Sequence, residues 1–150
     1  ESGSGLSVAL DVWEPEPEIN GRLLEQVLLG TPHIAGYSRE GKISGTQMLA
    51  EDFYRWRYGQ ELPETVVEQG DITGVCGENL AEIILAAYNV ADDDRRMRRA
   101  LDAALAEESG SVAEAFDRLR KEYPQRHEFT HYRADVSAAL KRQAQLLGFS

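Results

Sequence analysis

Leu6-Ser7-Val8-Ala9-Leu10-Asp11-Val12 is a short apolar run interrupted by an acid, and the rest of the chain is read from it. Its length and apolar character predict a buried parallel strand rather than a half-exposed one. A buried strand needs neighbours on both sides. No second run of this kind follows within about fifty residues, so its partners are expected upstream. The chain opens Glu1-Ser2-Gly3-Ser4-Gly5 rather than with methionine, and is read as a fragment of a longer protein. In open parallel sheets ligands bind outside the carboxyl ends of the strands, which makes Asp11 an expected cofactor contact.

Working outward, Pro15, Pro17 and Pro32 punctuate a loop, with a short helix predicted over Gly21 to Leu29, before Thr31-Pro32-His33-Ile34-Ala35-Gly36-Tyr37. Ser38 to Tyr58 reads as a helix with Ile43, Leu49, Phe53 and Trp56 on one face. Gly41 and Gly45, four apart, predict close backbone approach to another element. Gly59 to Gln69 reads as a linker, and Gly70 to Val75 as a strand that opens a second unit. Leu80, Ile83, Ile84, Ala87 and Tyr88 keep helical spacing, and Asp92-Asp93-Asp94 starts a helix carrying Met97, Leu101 and Leu105. Ser111 with Glu114 forms a capping-box pattern ahead of Phe116, Leu119 and Tyr123, and Pro124 ends that helix. A strand over Phe129 to Asp135 and a helix from Ser137 to Leu147, closed by Gly148, complete the pattern.

Composition narrows the function classes. Apolar residues at 42% and charged residues at 28% suit a folded globular chain rather than a disordered one. A net charge of −10 repels nucleic-acid phosphates and anionic lipid, so neither is an expected partner, and a phosphorylated ligand needs a local basic patch. Cys76 stands alone, which excludes an intrachain disulfide framework and a thiolate metal cluster, and fits a reducing cytoplasm. No run of about 18 apolar residues offers a membrane span, and no basic-then-apolar leader is read at the start.

Asp11, Glu16 and His33 each have an ordinary explanation alone: a turn cap, a solvated acid between prolines, a structural histidine. Together they carry more. Leu10-Asp11-Val12-Trp13-Glu14-Pro15-Glu16-Pro17 followed by Thr31-Pro32-His33-Ile34-Ala35-Gly36 resembles the signature of the NAD-dependent D-2-hydroxyacid dehydrogenases. Trp13 stands where phenylalanine is commoner in that family. The strings Pro32-His33-Ile34-Ala35-Gly36-Tyr37-Ser38-x-Glu40-Gly41-Lys42-x-x-Gly45-Thr46 and Phe116-Asp117-x-Leu119-Arg120-Lys121-x-Tyr123-x-x-Arg126 are similar to a branch with its own C-terminal domain. The likeness thins from Glu61 to Gly70 and from Ala103 to Ser111, and His127 stands where a second arginine is expected.

The resemblance implies roles that chemistry can support. Oxidising a secondary alcohol needs a base for the hydroxyl proton, and His33 fits because imidazole titrates in the useful range. Glu16 matches the carboxylate that fixes the imidazole tautomer and stabilises imidazolium. Asp11 matches an acceptor for the nicotinamide carboxamide, Gly36 a position beside the cofactor, and Tyr37 a position at the substrate. The family's catalytic arginine and its Gly-rich phosphate loop are expected upstream, since Gly3, Gly5, Gly41 and Gly45 lack the context of such a loop. As given, the chain is therefore not expected to turn over substrate by itself.

The implied architecture is α/β. Residues 1–37 form the end of a Rossmann-type NAD-binding domain with the active-site loop, 38–60 a crossover helix of the catalytic domain, and 61–150 a small α+β domain that mediates homodimerisation. The apolar faces at Leu80 to Tyr88 and Met97 to Leu105 supply either that interface or the domain's core. The implied substrate is a small phosphorylated 2-hydroxy acid, with Arg39 and Lys42, or Arg120, Lys121 and Arg126, as candidate phosphate contacts beside the alternative of solvated surface. His127 and His131 are read as structural, with no metal site, because no third ligand is evident. Two rivals stay open: another D-2-hydroxyacid dehydrogenase, and a non-catalytic dimerisation module.

Overall fold

In the computed structural model, which describes residues 5–63, 71–107 and 110–150, the expected first strand is paired at only two residues. β1 (Ala9–Leu10) runs parallel to β2 (Leu29–Gly30), with Ala9 opposite Leu29 and Leu10 opposite Gly30. One partner thus lies downstream, which corrects the expectation that the partners all lie upstream. Val27-Leu28-Leu29-Gly30 is too short to show a strand period and adjoins a helix, so periodicity absorbs it into that helix. The helix itself, α1 (Gly21–Gln26), is capped by the Asn20 side chain and ends before Leu29. Leu6 and Val12, expected to be buried, are 77% and 60% exposed.

The described chain forms two compact units. One joins the residues up to Ala35 with Asn89–Pro124, the other joins Gly36–Tyr88 with Gln125–Ser150. In the first unit two helices of the distal segment pack with the N-terminal strand. They are α3 (Val90–Ala106), capped by Asn89, and α4 (Val112–Lys121), capped by Ser111, whose hydroxyl accepts from Glu114 N at 3.2 Å. Met97, Leu101 and Ala104 form one face of α3 and share a buried cluster with Trp13, Ile19, Leu24, Phe116 and Leu119. Met97 and Leu101 are therefore core rather than exposed interface.

An ion pair stitches α1 and β2 to α3. Asp94 Oδ1 accepts from Gly30 N at 2.7 Å, and Asp94 also pairs with Arg98, one turn on, at 3.0 Å. The same guanidinium donates to Leu24 O at 2.7 Å and Val27 O at 3.1 Å. Carbonyls at a helix C-terminus have no intrahelical partner, and Arg98 satisfies two in that stretch. The acid triplet thus does more than face the helix N-terminus: Asp93 accepts from Tyr123 Oη at 2.6 Å while Asp94 anchors the strand.

In the second unit α2 (Arg39–Tyr58) starts at the buried Ser38 cap and ends at Gly59, which takes the left-handed φ of +67° and donates to Arg55 O. Leu49, Phe53 and Trp56, the expected apolar face, are all exposed, and no residue of α2 is buried. Gly41 is explained by its own cap, since a Cβ there would lie 2.7 Å from Ser38 Oγ; at Gly45 a Cβ would meet nothing within 4 Å. The expected approach of a second element at this pair is thus absent among the described residues. β3 (Thr73–Cys76) pairs in parallel with β4 (Tyr132–Asp135), and a 3-10 turn over Phe129–His131 replaces the first half of the expected strand. A helix over Leu80–Ala87 and another over Ala138–Leu146 flank the pair, with Val75, Ile83, Ala144 and Phe149 buried between them. Of the expected linker Gly59 to Gln69, residues 64–69 lie outside the described residues, as does Gly70.

Candidate active site

The site grows from the end of β1. Leu10 O accepts from Thr31 N at 2.9 Å, which seats the start of the second loop beside the strand end. Asp11 then gathers that loop: Oδ1 accepts from Thr31 Oγ1 at 2.7 Å and Ile34 N at 2.8 Å, and Oδ2 accepts from Ala35 N at 2.9 Å. His33 lies within this wrap in the left-handed region, at φ +55°, a conformation uncommon for a residue with a side chain. Thr31 O accepts from both His33 N and the buried Trp13 Nε1, at 3.0 and 2.8 Å. The indole N–H explains the tryptophan here: a phenylalanine ring has no donor for this carbonyl.

Trp13 also orients the acid. Its backbone N–H donates to Glu16 Oε1 at 2.8 Å, and Glu16 Oε2 lies 2.8 Å from His33 Nδ1. Burial pushes the Glu16 carboxyl up, but the His33 and Trp13 hydrogen bonds, with the charges of His33 and Arg120, outweigh it and hold the group below the ordinary carboxylate range. An ionised Glu16 accepts a proton-bearing Nδ1, which leaves Nε2 as the acceptor nitrogen of neutral His33. The His33 side chain keeps 44% of its exposure against 19% for Glu16, so the imidazole faces outward and the acid sits behind it. This is an arrangement for moving a proton at Nε2.

The structure thus brings Asp11, Glu16 and His33 into one hydrogen-bonded loop system. Gly36 and Tyr37 belong to the second unit. A Cβ on Gly36 would meet no heavy atom within 4 Å, and Lys42 Nζ sits 4.4 Å from the centroid of the Tyr37 ring. Glu40, which the sequence did not single out, is a third polar partner for the two distal histidines. It accepts from Glu128 N and bonds His127 Nδ1 at 2.8 Å. Donor atoms of Glu40, His127 and His131 lie within 4.8 Å of one another. The imidazoles stack at 3.7 Å with planes 14° apart, so their in-plane lone pairs run side by side instead of converging on one ion, and Gln125 Nε2 lies 3.1 Å from His127 Nε2. Residues 87 apart in sequence give no local signal for this cluster. The Asp94–Arg98 anchor did have one, an acid and an arginine four apart.

A carboxylate-backed imidazole on a loop at the end of a parallel strand makes this a mixed α/β protein with a candidate proton-transfer site. Residues 62–148 match the family described as a "Domain of unknown function (DUF3410)", and the chain belongs to that family. It is also similar along its length to proteins named erythronate-4-phosphate dehydrogenase. It is 39% identical to that of Pseudomonas paraeruginosa over 159 aligned residues, covering 99% of this chain and 41% of the relative. The Yersinia enterocolitica protein is 41% identical over 160, covering 100% and 40%, and the Marinobacter nauticus protein 40% identical over 144, covering 90% and 36%. The chain spans about two fifths of the length of these relatives. Among the described residues no helix is long and apolar enough to cross a membrane.

Proposed function

We propose that the chain is the C-terminal part of a cytoplasmic, homodimeric, NAD-dependent dehydrogenase. It oxidises 4-phospho-D-erythronate at its 2-hydroxyl to the 2-oxo acid, on the route to pyridoxal phosphate. The observation that carries the reading is the 2.8 Å contact between Glu16 and His33, in a chain similar throughout to enzymes of that name. His33 Nε2 takes the hydroxyl proton of the substrate. Glu16 fixes the tautomer beforehand and stabilises the imidazolium afterwards. NAD, when bound, accepts the hydride. Asp11, with acceptor capacity left after its three loop contacts, receives the carboxamide of the nicotinamide, and Gly36 matches a position beside the cofactor in the family that the motif resembles. Tyr37 contacts the substrate.

In the whole enzyme, residues 1–37 end a Rossmann-type domain, 38–60 serve as a crossover helix, and 61–150 mediate dimerisation, with exposed Leu85, Leu105 and Leu146 as apolar material for the contact. The test is an NAD-reduction assay of the full-length protein against phosphorylated and unphosphorylated 2-hydroxy acids. Highest kcat/KM on 4-phospho-D-erythronate is expected. Preference for glycerate or phosphoglycerate would replace the substrate, and inactivity on the whole panel would favour the non-catalytic module.

A further inference from the structure

We propose that Glu40 and His127 are positioning residues for the substrate side of the site: together they clasp the start of α2 and so set Tyr37 against Lys42. The inference rests on the reading of Tyr37 as a substrate contact given above, and it assigns a part in that contact to the segment matched by the family model.

The clasp is built from polar groups at a helix start, where the first N–H groups have no intrahelical acceptor. Arg126 O accepts from Arg39 N at 2.9 Å, and the Ser38 hydroxyl, which accepts from Gly41 N at 3.0 Å, donates to Glu128. Glu40 is the hub. Its Oε2 accepts from Glu128 N at 2.9 Å, and its Oε1 lies 2.8 Å from His127 Nδ1. The His127 and Glu40 side chains keep 18% and 28% of their exposure, so solvent screens the contact less than it would a surface pair. Burial pushes the Glu40 carboxyl up, but the hydrogen bonds from His127 and from the backbone of Glu128 and Glu40 outweigh it and hold the group below the ordinary carboxylate range. An ionised Glu40 accepts a proton-bearing Nδ1, and Nε2 of neutral His127 is left to accept from the Gln125 amide at 3.1 Å.

What the clasp holds is the turn that carries Tyr37 and Lys42. Lys42 N donates to Ser38 O at 3.0 Å, and a Cβ on Gly41 would lie 3.1 Å from Gly36 O, so the backbone on both sides of Tyr37 packs on the first turn of α2. The Lys42 ammonium then comes to 4.4 Å from the centroid of the Tyr37 ring. No residue of α2 is buried, so among the described residues it is the polar start, not an apolar face, that holds this helix. Groups that meet a substrate bind it better when they are ordered before it arrives, because less freedom is lost on binding. Neither Glu40 nor His127 has to touch the substrate for this.

The experiment uses full-length protein with Glu40→Leu, His127→Leu, the double variant, His127→Asn, which keeps a donor at the place of Nδ1, and Glu122→Gln as an exposed control. The first readout needs no activity. The ring of Tyr37 shifts the proton resonance of the Lys42 methylene beside the ammonium upfield, and Lys42→Arg identifies that signal. The shift is expected to be lost in E40L and reduced in H127L, to fall no further in the double variant than in E40L, to return in H127N, and to stay unchanged in E122Q. In the enzyme assay, KM for 4-phospho-D-erythronate is expected to rise about tenfold in E40L with kcat and KM for NAD near wild type. An unmoved Lys42 resonance in E40L or, should that variant not fold, in Glu40→Gln would overturn the proposal. So would H127N behaving like H127L, or kcat and both KM values changing together. If the wild type turns over no 2-hydroxy acid while the Lys42 resonance still moves in E40L and returns in H127N, the dehydrogenase reading falls and the clasp stands.

Discussion

Replacing Gly30 by alanine perturbs the point where strand, core and loop meet. A Cβ at residue 30 would lie 2.5 Å from Leu24 Cδ1, 2.9 Å from Trp13 Cζ2 and 3.1 Å from Trp13 Cη2. The leucine methyl is the end of a flexible side chain and can swing aside. The indole has less freedom, being 5% exposed and tied through Nε1 to Thr31 O. Overpacking of a filled site costs about 1–3 kcal/mol, and a pinned ring places this case at about 2 kcal/mol, a factor of roughly 30 in the folded-to-unfolded ratio. Trp13 is also the reporter, because the second tryptophan, Trp56, is 78% exposed and can be replaced by phenylalanine in the parent. Urea unfolding followed by Trp13 fluorescence should show a lower midpoint at an unchanged slope. Since a displaced indole moves both Thr31 O and the Glu16 contact, kcat of the full-length protein should fall as well. A midpoint equal to that of the parent would show that the indole is not held as described.

Asp94→Asn tests the anchor through pH. Burial pushes the Asp94 carboxyl up, but the Arg98 and Gly30 hydrogen bonds, with the charges of Arg98 and Arg95, leave it below its ordinary value. A depressed carboxylate contributes stability above its unfolded pKa of about 3.9 and loses it as pH falls through the folded value, so the wild type should lead Asp94→Asn at neutral pH and lose that lead in acid. Parallel urea midpoints across pH would contradict this. Ser38→Ala removes a buried hydroxyl that accepts from Gly41 N and donates to Glu128, and should destabilise the second unit by about 1–2 kcal/mol, read as faster amide exchange at the start of α2. Exchange at wild-type rates would assign the cap no weight.

What the sequence made legible was local. Ser111 and Gly148 mark helix ends by chemistry acting over three or four residues, and a helix starts at the one and stops before the other. Glu16 and His33 were legible together because the motif around them resembles a known family; the pair distance itself has no local signature. β2 escaped notice because two paired residues show no period, and its neighbour Val27 is buried through contacts with residues far along the chain. The packing of α3 and α4 with Trp13 and Ile19 was hidden for the same reason. An apolar helix face predicts burial but not the partner, and the face on α2 does not even predict burial within this chain. Asp11 was expected at a cofactor; the structure shows it first as the organiser of the loop that carries His33.

Whether His33 moves the substrate proton with Glu16 behind it is decided by His33→Ala in the full-length protein, with NAD affinity and turnover measured on the same preparation. Affinity near wild type with turnover reduced by about 10³-fold or more is expected. Turnover at the wild-type rate would remove His33 from the proton transfer.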